Sequence, residues 1–247
     1  MKKQSKGFTL VELLVVIGIL GILMGVLFPA ISGAMAKTKQ TACKMNGKKL
    51  FDAITTAGLS HPDQDECALW PRSSNNIGND TTEITGMKFG DSVSYFKQLF
   101  DLDNYGTQQW NSYLKGSANV DVLYGCGVPP FQGKNIQPRN VMWIVAQGVT
   151  SDVDEVVPVL VTRNAQYQSL FTSGTFTGQE NTQVGIGKEA GGESNTPFGA
   201  DSFIVVRKGG GVDVIEGRYN KLYQIYKNKS FTLESTSEFK YLPTGAN

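Results

Sequence analysis

The fold of this chain is decided near its beginning, by residues 6–31, which read KGFTLVELLVVIGILGILMGVLFPAI. From Leu13 to Ile31 the sequence contains no charged residue. As a helix, these residues would extend about 28 Å at 1.5 Å per residue, close to the thickness of the hydrocarbon core of a bilayer. A helix that is apolar on every side is unusual in a soluble protein. The sequence therefore predicts a membrane-spanning helix.

Two ordinary explanations for this segment account for only part of it. A secretory signal peptide is one, because the small residues Ala34 and Ala36 offer a cleavage site, but the apolar run exceeds the usual 7–15 residues of such a signal. A plain transmembrane anchor is the other. It leaves Glu12 unexplained, since a carboxylate costs about 2.5–3.5 kcal/mol when it is carried to the bilayer centre.

A third explanation accounts for the residues that surround the start of the run. The stretch KGFTLVELL, residues 6–14, closely resembles the processing signal of type IV prepilins and type II secretion pseudopilins. The resemblance implies that a prepilin peptidase and N-methyltransferase removes the basic leader, residues 1–7, by cutting after Gly7. Phe8 would then be the N-methylated new N-terminus, and Glu12 the assembly residue.

The role implied for Glu12 is physically reasonable. A carboxylate in an apolar helix is costly alone and tolerable when it is paired. Cleavage would leave an α-amine on Phe8 that is cationic near neutral pH. We expect Glu12 of one subunit to pair with the Phe8 amine of a neighbour in a filament, which would set the axial register between two apolar helices.

The small residues and the proline of the run permit two interpretations. Gly21 and Gly25 have the small-xxx-small spacing of closely packed membrane helices. Alternatively they loosen the helix together with Pro29, which removes an internal hydrogen bond and should kink or partly unwind it. A proline at this depth in the family lies in a segment that stretches during assembly. We therefore favour the loosening role for Gly21 and Pro29.

Beyond the apolar run the sequence predicts an α+β head built on the same helix. Apolar residues at helical spacing continue to about Ala57, and Gly58 is a natural C-terminal cap. Short helices are expected at 91–101 and 107–114. The predicted strands are residues 141–146, 156–162, 202–207 and 212–215, with 219–226 as a further strand or a helix. The last two strands flank three glycines, 209–211, which predict a hairpin.

The resemblance predicts the same architecture, a long N-terminal helix packed on a C-terminal antiparallel β-sheet. We expect the helix to have two halves and the head to have two regions: membrane or filament core 8–31, spine 32–58, variable loops 59–195, and a terminal β-hairpin region 198–247.

The remaining features of the composition point to few sites. The net charge of +1 gives no indication of a nucleic-acid partner. Among three cysteines a Cys67–Cys126 disulfide is the favoured pairing, since Cys43 falls on a helix, and three unpaired thiols are the alternative. Some major pseudopilins bind calcium near the C-terminal sheet, and the weak calcium candidates here are Asp201, Asp213 and Glu216. No catalytic motif is complete, so we expect no enzyme and no other cofactor.

These features predict a structural subunit of a type IV pilus or a type II secretion pseudopilus. It would be a single-pass protein of the inner membrane with its head in the periplasm, and later part of a periplasmic pseudopilus or a cell-surface pilus. Its expected partners are the processing enzyme, identical or related pilin subunits, an inner-membrane assembly platform and, before assembly, membrane lipid. The alternative is a membrane-anchored or secreted extracytoplasmic protein that binds a surface or a glycan.

Overall fold

The computed structural model describes residues 8–60, 65–71, 90–114, 116–125, 127–131, 134–187, 201–234 and 239–243. The chain divides into two compact units, Met1–Thr41 and Ala42–Asn247. A single helix, α1, Leu10–Leu59, begins in the first unit and ends in the second. The predicted long N-terminal helix is confirmed.

The second unit is built on a five-stranded antiparallel sheet. Its strands are β1 Trp143–Gln147, β2 Pro158–Thr162, β4 Ser202–Arg207, β5 Val212–Glu216 and β7 Lys240–Tyr241. Their order across the sheet is β5-β4-β2-β1-β7. The first four of these confirm the predicted strands. The predicted hairpin is β4–β5, whose turn contains Gly210 at a φ of 76°, where a glycine avoids the strain of a side chain.

A second sheet has two short strands, β3 Gly174–Phe176 and β6 Phe231–Leu233. It was not predicted, because three-residue strands leave almost no alternation to recognise. Phe176 stacks on Phe231 with ring centroids 5.0 Å apart, and both rings are buried. The small sheet is therefore held by aromatic packing as well as by its backbone hydrogen bonds.

Within the second unit α1 packs closely on the large sheet. Leu50 and Ile54 are fully buried on this part of the helix. A Cβ atom placed on Gly47 would lie 2.7 Å from Cη2 of Trp143 and 2.9 Å from Cγ2 of Val206. The glycine, which weakens the helix by propensity alone, thus lets the helix backbone approach strands β1 and β4.

Gly58 has a different role from the one predicted. It lies inside α1, which ends at Leu59, so it does not cap the helix from outside. A Cβ atom at this position would be 2.7 Å from the backbone oxygen of Asp65. The glycine is needed because the chain after the helix returns and passes close to its last turn.

The short helical segments were predicted with mixed success. Helix α2, Ser92–Leu99, is confirmed, and the Asp91 side chain caps it by accepting a 2.7 Å hydrogen bond from the Ser94 N–H. The helix predicted at 107–114 is wrong. There, Trp110 Nε1 donates to the Phe100 oxygen at 2.9 Å, and the Tyr113 N–H donates to the Leu99 oxygen, so the segment is tied to the end of α2 instead of forming a helix of its own.

The segment 219–226, for which a strand and a helix were both open, is mainly helical. A 3₁₀ turn at Gly217–Tyr219 is followed by a short helix, α3 Leu222–Ile225.

Candidate assembly site at the N-terminal helix

The N-terminal part of α1 presents an apolar surface with almost no cover from the rest of the chain. The exposed fraction of its large apolar side chains between Phe8 and Ile31 ranges from 46% at Val16 to 79% at Leu10. Among the described residues, α1 is the one helix long and apolar enough to cross a membrane. Exposed apolar area on this scale is unfavourable in water and marks a surface that lipid or another protein covers.

The polar end of this surface is organised by Thr9 and Glu12. Oε2 of Glu12 accepts hydrogen bonds from the Thr9 N–H at 2.8 Å and from the Thr9 hydroxyl at 2.7 Å. In return, the Glu12 N–H donates to the Thr9 hydroxyl oxygen at 3.3 Å. This reciprocal pattern is a capping box, which satisfies N–H groups left without a helical partner in the first turn.

The capping box explains why an acidic residue is tolerated at the start of the apolar run. The carboxylate lies at the N-terminus of α1, where the helix dipole favours negative charge. Every hydrogen bond of the box uses atoms of residues 9–12, so a cut after Gly7 would leave it intact. Gly7 lies outside the described residues, whereas Phe8 is 77% exposed at the same end of the helix as Glu12.

The predicted flexible positions show no break in the helix of this single chain. α1 is helical through Pro29, and a Cβ atom on Gly18, Gly21 or Gly25 would meet nothing within 4 Å. Contacts inside the chain therefore do not require glycine at these positions. The close-packing and loosening roles of Gly21 and Pro29 both concern the assembled state and stay predictions.

The structure does not gather the weak calcium candidates into one ligand set. Asp213 lies between two cations, with Oδ2 3.0 Å from Arg207 Nε and 3.1 Å from Lys227 Nζ. Although partial burial opposes its charged form, the hydrogen bonds from Lys227 and Arg207 lower the pKa of Asp213. Glu216 pairs with Arg218 at 2.8 Å.

The third candidate, Asp201, adjoins β4, where its backbone oxygen accepts the Gly217 N–H. Within the described ranges, no group of three or more His, Cys, Asp or Glu side chains could hold a metal ion.

The predicted Cys67–Cys126 disulfide is wrong. Cys67 is a thiol, 2% exposed, whereas Cys43 is disulfide-bonded. Cys43 does fall on a helix, but its side chain is 1% exposed and faces the interior of the head. Position on a helix does not determine which way a side chain points, so it does not exclude a cysteine from a disulfide. Cys126 lies outside the described residues.

Comparison with known proteins gives the same assignment for the N-terminal segment. Residues 2–28 match the family described as the prokaryotic N-terminal methylation motif. The chain is 33% identical over 78 residues to the type IV major fimbrial protein FimA of Dichelobacter nodosus, which covers 32% of this chain and 49% of FimA. A second FimA of that organism is 32% identical over 34% of this chain and 54% of its own length. The chain thus spans about half the length of these relatives.

Other relatives match over more of the chain. The type IV major pilin protein PilE of Neisseria gonorrhoeae is 27% identical over 172 residues, which is 66% of this chain and 88% of PilE. No solved structure matches significantly. The long helix with its capped acidic start, the antiparallel sheet that follows, the methylation motif and the pilin relatives together identify this chain as a type IV pilin-like protein.

Proposed function

We propose that this chain is a structural subunit of a filament, a type IV pilus or a type II secretion pseudopilus, and that it assembles through the N-terminal part of α1. The observation that carries the proposal is the exposed apolar surface of residues 8–31 with the Thr9–Glu12 capping box at its end. Relatives described as major pilin and fimbrial proteins support a pilus over a pseudopilus.

The life cycle that follows has two states of the same helix. In the inner membrane, lipid covers residues 8–31 and the head lies in the periplasm. A prepilin peptidase and N-methyltransferase then cuts after Gly7 and methylates Phe8. On an inner-membrane assembly platform the helix leaves the lipid and packs against the helices of identical or related subunits. The apolar surface is covered in both states, so the transfer costs little hydrophobic free energy.

Glu12 supplies the specificity that apolar contacts lack. The capping box holds its carboxylate at the N-terminal end of the helix, near the amine that processing would create on Phe8. The neighbour's Phe8 amine is a partner of opposite charge, and in surroundings of low dielectric constant a charge pair is much stronger than in water. An unpaired subunit would leave the carboxylate in that environment at a cost, which rejects wrong registers.

The first experiment reads the mature N-terminus by mass spectrometry of the protein purified from membranes or sheared filaments. N-methyl-Phe8 is the expected result. A start at Lys37 would show ordinary secretion and overturn the proposal, because the apolar helix would be lost. An intact Met1 would show a simple anchor and also overturn it.

The second experiment removes only the charge of the assembly residue. Glu12→Gln keeps an oxygen that can accept the Thr9 hydrogen bonds, so the helix start is preserved while the pairing with an amine is weakened. We expect normal amounts of the protein in the membrane and at least a tenfold loss of filaments when this variant is the only subunit.

A matched control is available in the head. Glu180 is half-buried and also accepts hydrogen bonds from the N–H and hydroxyl of a threonine three residues earlier, Thr177, at 2.7 and 2.8 Å. Glu180→Gln changes the same kind of local motif in the second unit, outside the N-terminal part of α1, and should leave filaments at the parent level. Normal filaments from Glu12→Gln would refute the pairing.

A further inference from the structure

We infer that Cys43 and Cys126 form a disulfide that fastens α1 to the loop 120–128, at the N-terminal end of the part of the helix that belongs to the head. Cys43 is disulfide-bonded and Cys67 is a thiol. The chain contains three cysteines, so the partner of Cys43 within the chain is Cys126.

Contacts of the two residues just before position 126 support this pairing independently. Asn46 lies three residues after Cys43, on the same face of α1 one turn further along. Its Nδ2 donates to the backbone oxygen of Tyr124 at 3.5 Å, and a Cβ atom placed on Gly125 would lie 3.8 Å from that nitrogen. The loop therefore reaches the helix beside Cys43.

The loop also turns sharply at this point. The Gly125 and Val128 backbones bond to each other in both directions, at 3.2 and 2.8 Å, and Gly125 and Gly127 have φ values of 114° and 101°. The described residues on either side of position 126 therefore lie in a tight turn whose first residue, Gly125, is near Asn46 of α1. Disulfides need Cα atoms about 4.4–6.8 Å apart, so the pairing requires that this turn and Cys43 be neighbours.

The position of the bond gives it a mechanical meaning, which rests on the proposed function. Among the side chains of α1 that the structure describes, those before residue 43 are exposed or half-buried, and Cys43 is the first buried one. If the filament is held through residues 8–31, tension reaches the head along α1 and acts first at this turn. A covalent bond here prevents the helix from peeling away from the sheet.

Formation of the bond needs an electron acceptor. The Cys43 and Cys126 thiols lose two protons and two electrons in total, and the disulfide of an extracytoplasmic thiol–disulfide oxidoreductase accepts them and becomes two thiols. Such bonds persist in oxidising compartments and are rare in the cytosol. The inference therefore also places the head on the outer side of the inner membrane.

The pairing can be read directly from peptides of the full-length protein, digested with trypsin without reduction after blocking thiols in denaturant. The three cysteines fall on separate peptides: 40–44 for Cys43, 50–72 for Cys67 and 116–134 for Cys126. We expect peptide 40–44 linked to 116–134, and a blocked thiol on 50–72. A link that includes peptide 50–72, or three blocked thiols, would overturn the inference.

The stabilising role is tested by melting the full chain in detergent. The bond closes a loop of about 83 residues, so its reduction should lower the Tm by on the order of 10 °C. Cys67→Ser is the matched control and should keep this response to reductant, whereas Cys43→Ser should lose it. If Cys43→Ser fails to fold, the Tm of the parent protein before and after reduction still tests the stabilising role. An unchanged Tm after reduction would overturn the stabilising role.

The mechanical role is tested by pulling single molecules between the processed N-terminus and the C-terminus. With the bond intact, the loop of about 83 residues cannot be extended by the pulling force. The fully unfolded chain should therefore be about 300 Å shorter than after reduction, at about 3.6 Å per residue. Equal lengths would overturn the inference. Linked peptides from a protein that forms no filaments would leave the pairing standing and count against the proposed function alone.

Discussion

Substitution of Gly47 by alanine adds one methyl group where α1 meets the large sheet. The new Cβ atom would lie 2.7 Å from Trp143 Cη2 and 2.9 Å from Val206 Cγ2. Carbon atoms in contact are ordinarily about 3.5–4.0 Å apart, so the neighbours must withdraw by about 1 Å. Trp143 has little room to do so, because it is fully buried and its Nε1 donates to the Val122 oxygen at 2.8 Å.

Two effects of opposite sign determine the size of the change. Alanine is favoured over glycine inside a helix by about 0.8–1.0 kcal/mol. Overpacking of a well-filled core costs about 1–3 kcal/mol. We therefore expect Gly47→Ala to lower the free energy of unfolding by about 1 kcal/mol, or the Tm by about 2–4 °C for a protein of this size.

The assay is thermal unfolding of the full-length protein in detergent, followed by tryptophan fluorescence. Gly33→Ala is the control, because it lies on the same helix and its new Cβ would meet nothing within 4 Å. It should leave the melting of the head unchanged.

In the Gly47→Ala background, Val206→Ala should lower the free energy of unfolding by less than it does alone, since it removes one of the two clashes.

The sign of the result decides whether the packing argument is correct. A Gly47→Ala protein that is more stable than the parent by close to 1 kcal/mol would show that propensity alone acts at this position. The helix would then not approach the sheet as closely as the structure indicates, and the explanation of Gly47 would be refuted.

Three further predictions concern the head. Asp213→Asn should lower the Tm at pH 7. Because the folded pKa of Asp213 lies below its unfolded value, the stability it provides is present above about pH 4 and is lost as the pH falls through the folded pKa, so the two melting curves should converge in acid. A difference that persists in acid would contradict this account, and Glu216→Gln, in an exposed ion pair, should change little. Asp91→Ala should cost about 1 kcal/mol by removing the cap of α2, measured by urea unfolding, whereas Asp91→Asn should retain most of that stability. Tyr95→Phe should cost about 1–2 kcal/mol in the same assay, because it leaves the buried Leu69 oxygen, now 2.9 Å from the Tyr95 hydroxyl, without that donor; a neutral result would mean that another donor reaches this oxygen.

The amino-acid sequence by itself was sufficient for the features that depend on neighbours along the chain. The length of α1 follows from the apolar run of residues 13–31 and from the helical spacing of the apolar residues after it, and its start follows from Thr9 and Glu12, which are one turn apart. The β4–β5 hairpin follows from two apolar strands around three glycines, and α2 from its capping aspartate and apolar face. In each case the interacting groups lie within a few residues of one another, so the local pattern contains the information.

Only the tertiary structure decided the features that join distant segments. Trp110 and Tyr113 donate hydrogen bonds to the end of α2, and β7 pairs with β1, about 95 residues earlier in the chain. From the sequence, Gly47 and Gly58 only lower the helix propensity of α1. The structure shows that Trp143 and Asp65 lie where a side chain at these two positions would be. Cys43 could be assigned to a disulfide only once its side chain was seen to face the interior. Local pattern cannot determine these contacts, because each depends on how the whole chain folds back on itself.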